Sequence, residues 1–479
     1  MPPRRKRTAA AASKLVDGGS ADSGYGGGSS GASNAKIPKL ENRNLLQSKI
    51  HQASPIAVSS ELNLFLVPYT NLSVERQYTV KYLPLSTLDG SRTFDIKIPA
   101  SPDFVDCTQI LLYVEYSIDS ADGAAWKTDT SGTNTADQIR TTIIPMHALW
   151  SEIGLSLNET RITDQYGTYP YRAFFNHLIY TADKPRQTFL ASEGVVQGYD
   201  GEQYIDKTKT IVHYGVLQLD LCDCETALLS NVNMHLKLQR SKDNFAVYNK
   251  GNQTSDFEIK ITQLFVSVRK YSLNPGIAIG IEQALLVSSA KYAHVRKVVV
   301  AYNIPAGQAI VQIDNALMGI IPKRVVCGLI ENEAVNGSGL YNPFRFKHFN
   351  VNTLCLYING AKYPNGEGYK QDYNDVKKCA YEQTFRNLFT ELTQDTNVVT
   401  LDVKKAEFKD AKCLYAFNLS PIYSNAGIHS GATTLQSSGS LRFEIGFGIT
   451  PTKALQLVTY AEYDSILQID RNRGITTNW

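Results

Sequence analysis

The sequence has no cysteine pairs of the kind that frame a disulfide or a zinc site. Its seven cysteines, Cys107, Cys222, Cys224, Cys327, Cys355, Cys379 and Cys413, are odd in number and include no Cys-x-x-Cys. That argues against a disulfide framework and for a reducing compartment. Cys222-Asp-Cys224 has no second pair and reads as structural. No apolar run reaches the roughly 18 residues a membrane helix needs. The longest, 276–290, is broken by Glu282 and Gln283. The start of the chain lacks the apolar core of a signal peptide, so the Asn-x-Ser/Thr triplets at Asn71, Asn158, Asn252, Asn336 and Asn418 read as chance matches rather than glycan sites. Histidines are few and scattered, at 51, 147, 177, 213, 235, 294, 348 and 429, without His-Glu-x-x-His or zinc spacing. No Gly-rich loop leads into Lys-Ser/Thr. Gly27-Gly-Ser-Ser-Gly31 has the letters of a nucleophile elbow but lacks the flanking strand and helix. Carboxylates are too dispersed to single out an acid/base pair. The sequence therefore predicts no catalytic residue, no cofactor and no metal.

Charge of one sign is also missing from the body of the chain. The net charge is +3, and Arg4, Arg5, Lys6 and Arg7 stand together at the start. Without those four, 44 basic residues face 45 acidic ones. A body that gripped duplex DNA over a broad face would be strongly basic, so any nucleic-acid affinity belongs to the tail. The run itself reads as a nuclear-import signal or a contact with packaged DNA, against the plainer reading of solvated charge. Residues 1–50 read as a disordered tail, because 18–33 is almost all Gly, Ser, Ala and Asp and cannot offset roughly 1–2 kcal/mol per residue of backbone ordering.

What is present is strand-forming. Aromatics make up 10% of the chain, with 27 Tyr and 18 Phe, residues that favour pleated, half-buried surfaces. Period-two alternation recurs from Leu62 onward. Ile110, Leu112, Val114 and Tyr116 point one way, as do Met234, Leu236 and Leu238. Phe257, Ile259 and Ile261 alternate, then the phase slips to Leu264, Val266 and Val268, which predicts a bulge. Leu354, Leu356 and Ile358, then Phe443, Ile445 and Phe447, then Leu455, Leu457 and Thr459 continue the pattern. Turn clusters fall at 119–137 and 363–372. Helical spacing appears twice: Tyr171, Phe174, Phe175 and Leu178 behind Pro170, and Tyr381, Phe385, Leu388, Phe389 and Leu392. Each stripe is expected to pack on a sheet as core.

The two halves repeat in element order: strands, one helix, a strand ending in polar residues (217–224; 414–420), then two long strands (234–238 and 257–268; 441–447 and 455–463). Asn274-Pro275 is the dividing point, because proline breaks the ladder. The expected fold is all-β, two β-sandwiches in tandem. The expected division is a tail at 1–50, a first sandwich at 51–273 and a second at 274–479. The two similar pentapeptides ending at Ile98 and Ile261 are not expected to occupy equivalent strands.

The chain resembles the double jelly-roll major capsid proteins of Polinton (Maverick) elements and adintoviruses, which are similar in fold to adenovirus hexon. In the first half the resemblance rests on Met146-His-Ala-Leu-Trp150, Gly154-Leu-Ser-Leu-Asn158, Tyr169-Pro-Tyr-Arg-Ala-Phe174 and Leu236-Lys-Leu-Gln-Arg-Ser-Lys-Asp243. In the second half it rests on Pro322-Lys-Arg-Val-Val326, Asn336-Gly-Ser338, Asn342-Pro-Phe344, Tyr460-Ala-Glu-Tyr-Asp464 and Ile469-Asp-Arg-Asn-Arg473. It spans roughly residues 60–470 and implies a tandem (double) jelly roll, two eight-stranded β-sandwiches each with an inserted short helix, and a structural protein, not an enzyme. It implies homotrimers whose six jelly rolls form a pseudo-hexagonal tile in the icosahedral shell of a double-stranded DNA virus or virus-like transposon. Implied partners are neighbouring capsomers and a penton or minor capsid protein. Virion localisation follows, with assembly in the host nucleus suiting the basic run. The Gly/Ser-rich tail is not part of the shared pattern, and the ending at Trp479 leaves no long arm for clamping neighbours. The competing readings are a tandem-sandwich binding module, which predicts a monomer or small oligomer, and an enzyme built in the loops, which would need a convergent polar constellation.

Overall fold

The computed structural model describes residues 60–62, 64, 67, 69–120, 139–164, 166–195, 203–204, 210–249, 257–338, 340–364, 366–373, 381–392, 400–401, 403–420 and 435–477. The chain divides into two units, Met1–Thr70 and Asn71–Trp479. The first contributes a 3-10 turn at Ser60–Leu62; the basic run and most of the tail lie outside the described residues.

Up to the Asn274-Pro275 break the second unit has strands β1 (Val74–Tyr82), β2 (Thr93–Ile98), β3 (Phe104–Ser120), β4 (Ile139–Thr141), β5 (Trp150–Leu157), β6 (Thr160–Arg161), β7 (Gln203–Tyr204), β8 (Ile211–Val216), β9 (Met234–Arg240), β10 (Val247–Asn249) and β11 (Phe257–Leu273). After it come β12 (Ala290–Ile304), β13 (Ile310–Ile320), β14 (Arg324–Glu331), β15 (Val351–Ile358), β16 (Ala361–Tyr363), β17 (Tyr369–Lys370), β18 (Leu414–Asn418), β19 (Ser438–Phe447), β20 (Leu455–Ile469) and β21 (Ile475–Thr477).

In the first half the order β1-β11-β3-β8 forms one sheet and β2-β9-β5-β6 the other, with a small extra sheet β10-β4-β7. In the second half β12-β20-β14-β18 and β13-β19-β15-β16 repeat that arrangement, with β17 and β21 added at the sides. Each half is thus an eight-stranded jelly roll, and among the described residues no sheet draws strands from both sides of Pro275.

Alternation sets the inner faces. Ile110, Leu112, Val114 and Tyr116 on β3, and Met234, Leu236 and Leu238 on β9, are all buried, while their neighbours are partly exposed. The phase slip on β11 is a register shift between Ile261 and Gln263, opposite Tyr116 and Glu115. Phe94 on β2 meets the fully buried Trp150 edge-on, ring centroids 5.9 Å apart. The two similar pentapeptides fall on β2 and β11, in different sheets.

Both expected helices form, at Tyr169–Tyr180 with Pro170 in its first turn and at Glu382–Glu391. The first does more than pack on its own sandwich. Phe174 stacks on Phe344 and Phe346 of the second half, centroids 5.4 and 5.6 Å away. Phe175 packs on Tyr460 of β20 at 5.2 Å. The helix therefore packs on the outer face of β20 and β12. Phe346 lies against β14 and the helix Glu382–Glu391 packs on β18, so β14, β18 and the middle of β20 are buried without alternation: both faces are covered. Gly328 on β14 allows the close approach of Phe346, since a Cβ there would lie 2.6 Å from Phe346 Cδ1.

Three expectations are corrected. Residues 217–224 are not a strand: the strand is β8, just before, and Asp220–Asp223 is a 3-10 turn whose two aspartates face cationic partners on other elements. The turn cluster at 363–372 holds β17 and the end of β16, so only its centre is a turn, at Gly366 and Gly368 with positive φ. The Asn274-Pro275 break does end the ladder, but it also starts a helix, Pro275–Ala284, in which the Asn274 side chain accepts from the Gly276 N–H at 3.0 Å. The cluster at 119–137 lies mostly outside the described residues.

Replacing Phe175, fully buried between helix and sheet, by alanine is expected to cost about 3–5 kcal/mol. Denaturant unfolding followed by tryptophan fluorescence measures it. A loss below about 1 kcal/mol would mean that the seam closes around the gap.

Candidate functional site

Several of the segments that carried the family resemblance meet at the seam between the two jelly rolls, and others pair within one roll. Tyr169–Phe174 lies against Phe344. Arg324 and Lys323 pair with Glu462 at 3.2 Å and Asp464 at 3.4 Å. Asn158 donates from Nδ2 to the Arg473 carbonyl at 2.9 Å, and Arg473 donates from Nε to the Ser230 carbonyl at 2.9 Å.

A chain of polar contacts runs beside the aromatic packing. Arg172 donates to Asp220 at 2.6 Å, and Asp220 also accepts the Lys297 backbone N–H at 3.1 Å. The Lys297 ammonium reaches Asn176 at 2.6 Å and Asp223 at 2.5 Å. Tyr180 and Tyr460 both donate to Glu462. Thr168 donates to the Val299 carbonyl at 2.8 Å, and Arg296 to Asp164 at 2.8 Å. Most of these partners come from opposite halves. Burial pushes the Asp220 carboxyl above its ordinary pKa, against the lowering pull of Arg172, His294 and Lys297. Burial and the Glu462 carboxylate hold the Tyr180 and Tyr460 phenols well above theirs. The geometry serves to lock two sandwiches into one block.

The outer surface offers open edges. β1 and β13 each end a sheet. The first half of β1 is exposed on both faces, and β13 exposes Ile310 and Met318. The helix Pro275–Ala284 has no buried residue. Its Ile277 and Ile279, with Leu286 and Val287 after it, are exposed apolar groups. Beside it lies a groove of about 400 Å³ whose lining includes Phe104, Ile279, Leu286 and Arg471. Unpaired strand edges and apolar patches invite a further chain.

Of the residues singled out from sequence, Arg4, Arg5, Lys6 and Arg7 lie outside the described residues. Cys222 and Cys224 sit buried in and beside the 3-10 turn, and the six described cysteines are all free. Burial raises the thiol pKa of each, Cys224 up to about 12 and Cys413 up to about 11.

The histidines are less scattered in space than in sequence. His147, His177 and Glu193 converge in the first jelly roll, all buried, with His213 beside them. Burial drives His177 down to about 3 and His213 down to about 4. Burial raises the Glu193 pKa, but hydrogen bonds and charge from the two histidines and the Val216 N–H outweigh it, leaving a net lowering. The expectation of no metal did not anticipate this grouping, because the residues lie 30 and 46 positions apart along the chain.

No family model matches the sequence. A curated Caenorhabditis elegans protein, "Uncharacterized protein F54H12.2", is 23% identical over 338 residues, covering 68% of this chain and 79% of that one. Among solved structures, the Faustovirus major capsid protein superposes with a TM-score of 0.56 at 9% identity, covering 87% of this chain and 93% of its own. A chain of the Sputnik virophage superposes with a TM-score of 0.54 at 11% identity, covering 89% and 93%. The likeness is one of fold: an all-β double jelly roll.

Two outcomes follow from the buried groups. Arg172→Met should cost about 3–5 kcal/mol at neutral pH by stranding Asp220. A carboxyl whose folded pKa lies above its unfolded value holds its proton more tightly when folded, so the deficit should shrink as pH falls through the raised folded pKa. Urea melts at pH 7 and pH 5 measure this, and a deficit independent of pH would remove Asp220 as the cause. Native alkylation of Cys107, Cys222, Cys224, Cys327 and Cys413 should run at least roughly a hundredfold slower than in the unfolded chain, read site by site by mass spectrometry.

Proposed function

We propose that this chain is the major capsid protein of an icosahedral double-stranded DNA virus or virus-like transposon, a structural protein without catalytic residues or cofactor. The observation that carries the reading is the seam. Two jelly rolls of identical strand order are fused through one helix and a set of ion pairs and hydrogen bonds across the seam into a single block. Three such blocks supply six similar lobes, which is what a pseudo-hexagonal tile requires. Solved structures of this fold include the Faustovirus major capsid protein.

The open edges of β1 and β13 and the exposed apolar helix suit contacts between copies, since threefold heterologous interfaces close into rings. An obligate interface of this kind buries about 2,000 Å² or more. A body carrying 44 basic and 45 acidic residues does not repel its neighbours. The partners are then the chain itself, neighbouring capsomers and a penton or minor capsid protein, with the virion as location. The division into a tail at 1–50, a first roll at 51–273 and a second at 274–479 belongs to this reading. So does assignment to the Polinton (Maverick) and adintovirus lineage, which the ordered motifs support and which a relative in a nematode suits. Arg4, Arg5, Lys6 and Arg7 would then engage an import receptor or packaged DNA, with assembly in the host nucleus.

Light scattering on the purified chain should give about three times 53.1 kDa, that is about 159 kDa, with pseudo-hexagonal particles or closed shells in negative stain. A persistent monomer at high concentration would overturn the trimer and favour a binding module descended from the same fold. Deleting residues 1–45 should leave the circular dichroism unchanged and lower nuclear accumulation in cells. Undiminished uptake would remove the import role.

A further inference from the structure

Three side chains from three separate segments of the first jelly roll aim at one buried point. His147 comes from the short helix Pro145–Ala148, His177 from the helix Tyr169–Tyr180, and Glu193 from the 3-10 turn Phe189–Glu193. The two Nε2 atoms are 3.2 Å apart, and Glu193 Oε2 lies 3.5 Å from each. The other ends of two of the groups are already engaged. His147 Nδ1 meets the Tyr169 hydroxyl at 2.9 Å, and Glu193 Oε1 accepts the Val216 N–H at 3.0 Å. These outer contacts orient the imidazole and the carboxylate, as they do around metal ligands.

Backbone space is kept open for the arrangement. A Cβ on Gly215 would fall 2.0 Å from Glu193 Cγ. Gly194 turns at φ +79, and a Cβ there would fall 2.5 Å from both Pro145 Cγ and His213 Cε1.

A direct hydrogen bond between the two imidazoles uses one proton and leaves the carboxylate oxygen at the outer limit of hydrogen-bond reach. A cation satisfies all three at once. In a triangle with edges of 3.2, 3.5 and 3.5 Å, the point equidistant from the corners lies about 2.0 Å from each, the length of zinc–nitrogen and zinc–carboxylate bonds. Two imidazoles and one carboxylate suit a borderline first-row ion, where calcium or magnesium would require a shell of oxygens.

We propose that His147, His177 and Glu193 form a zinc-type divalent metal site, with water completing the coordination. The ion ties together three connecting segments that no sheet holds. It is a structural staple of the first jelly roll, and it stands independently of any role in a shell.

The test uses the full chain without an affinity tag, stripped with chelator, incubated with zinc sulfate and desalted. The expected result is about one zinc per chain by atomic emission, and a thermal midpoint several degrees above the stripped protein. Glu193→Gln keeps an acceptor for Val216 but should lower zinc affinity at least about tenfold and abolish the thermal shift. Cobalt substitution of the wild-type chain supplies a readout that needs no variant: intense visible d–d absorption from a low-coordinate site. A wild-type chain that retains no zinc and gives no such absorption overturns the proposal and leaves a hydrogen-bonded histidine pair. So does a Glu193→Gln variant that takes up zinc as well as the wild type.

Discussion

The helix Tyr169–Tyr180 is the constraint on which the rest of the structure depends. It belongs to the first jelly roll by sequence, yet Phe174 and Phe175 are buried against Phe344, Phe346 and Tyr460 of the second. Removing large aromatic surfaces from water is worth several kcal/mol in total. That burial, with Phe346 against β14 and the helix Glu382–Glu391 on β18, gives the second half's β12-β20-β14-β18 sheet a covered outer face. A sheet so covered can carry Val325, Val326, Cys327, Leu329 and Ile330 in succession, a run that would be a liability on a half-exposed sheet.

The polar contacts beside the helix act differently. Ion pairs across the seam, such as Lys297 with Asp223 and Arg296 with Asp164, recover in mutual attraction much of what they lose in desolvation, so their net contribution to stability is small. Breaking one is costly, and a slipped seam would strand several charges together. The network therefore discriminates between one relative placement of the two rolls and its neighbours, while the aromatics supply the driving force. The proposed role as a shell tile would require that kind of fixed geometry between its lobes.

The exposed edges complement the buried seam. β1 and β13 lie at the ends of their sheets with apolar or two-sided exposure, and the helix at Pro275–Ala284 buries none of its residues. In an isolated monomer such features favour nonspecific pairing; under the proposed function they become contact surface between copies.

Much of the fold was legible in the sequence, because strand facing is a local property. Ile110 to Tyr116 and Met234 to Leu238 show their inner face by period alone, and the slip after Ile261 shows the bulge. The helical stripes, the break at Pro275 and the repeated element order were legible in the same way, and with them the tandem-sandwich class. The strand misplaced at 217–224 failed because Asp220 and Asp223 answer to Arg172 and Lys297, distant in sequence. The aromatic stripe at 171–178 announced burial but not against what: the partner was the other half of the chain. The convergence of His147, His177 and Glu193 was equally invisible. Sequence determined which side of each element turns away from water. Only the tertiary structure decided what each buried side meets, because such contacts depend on the path of the chain between elements and not on the spacing within them.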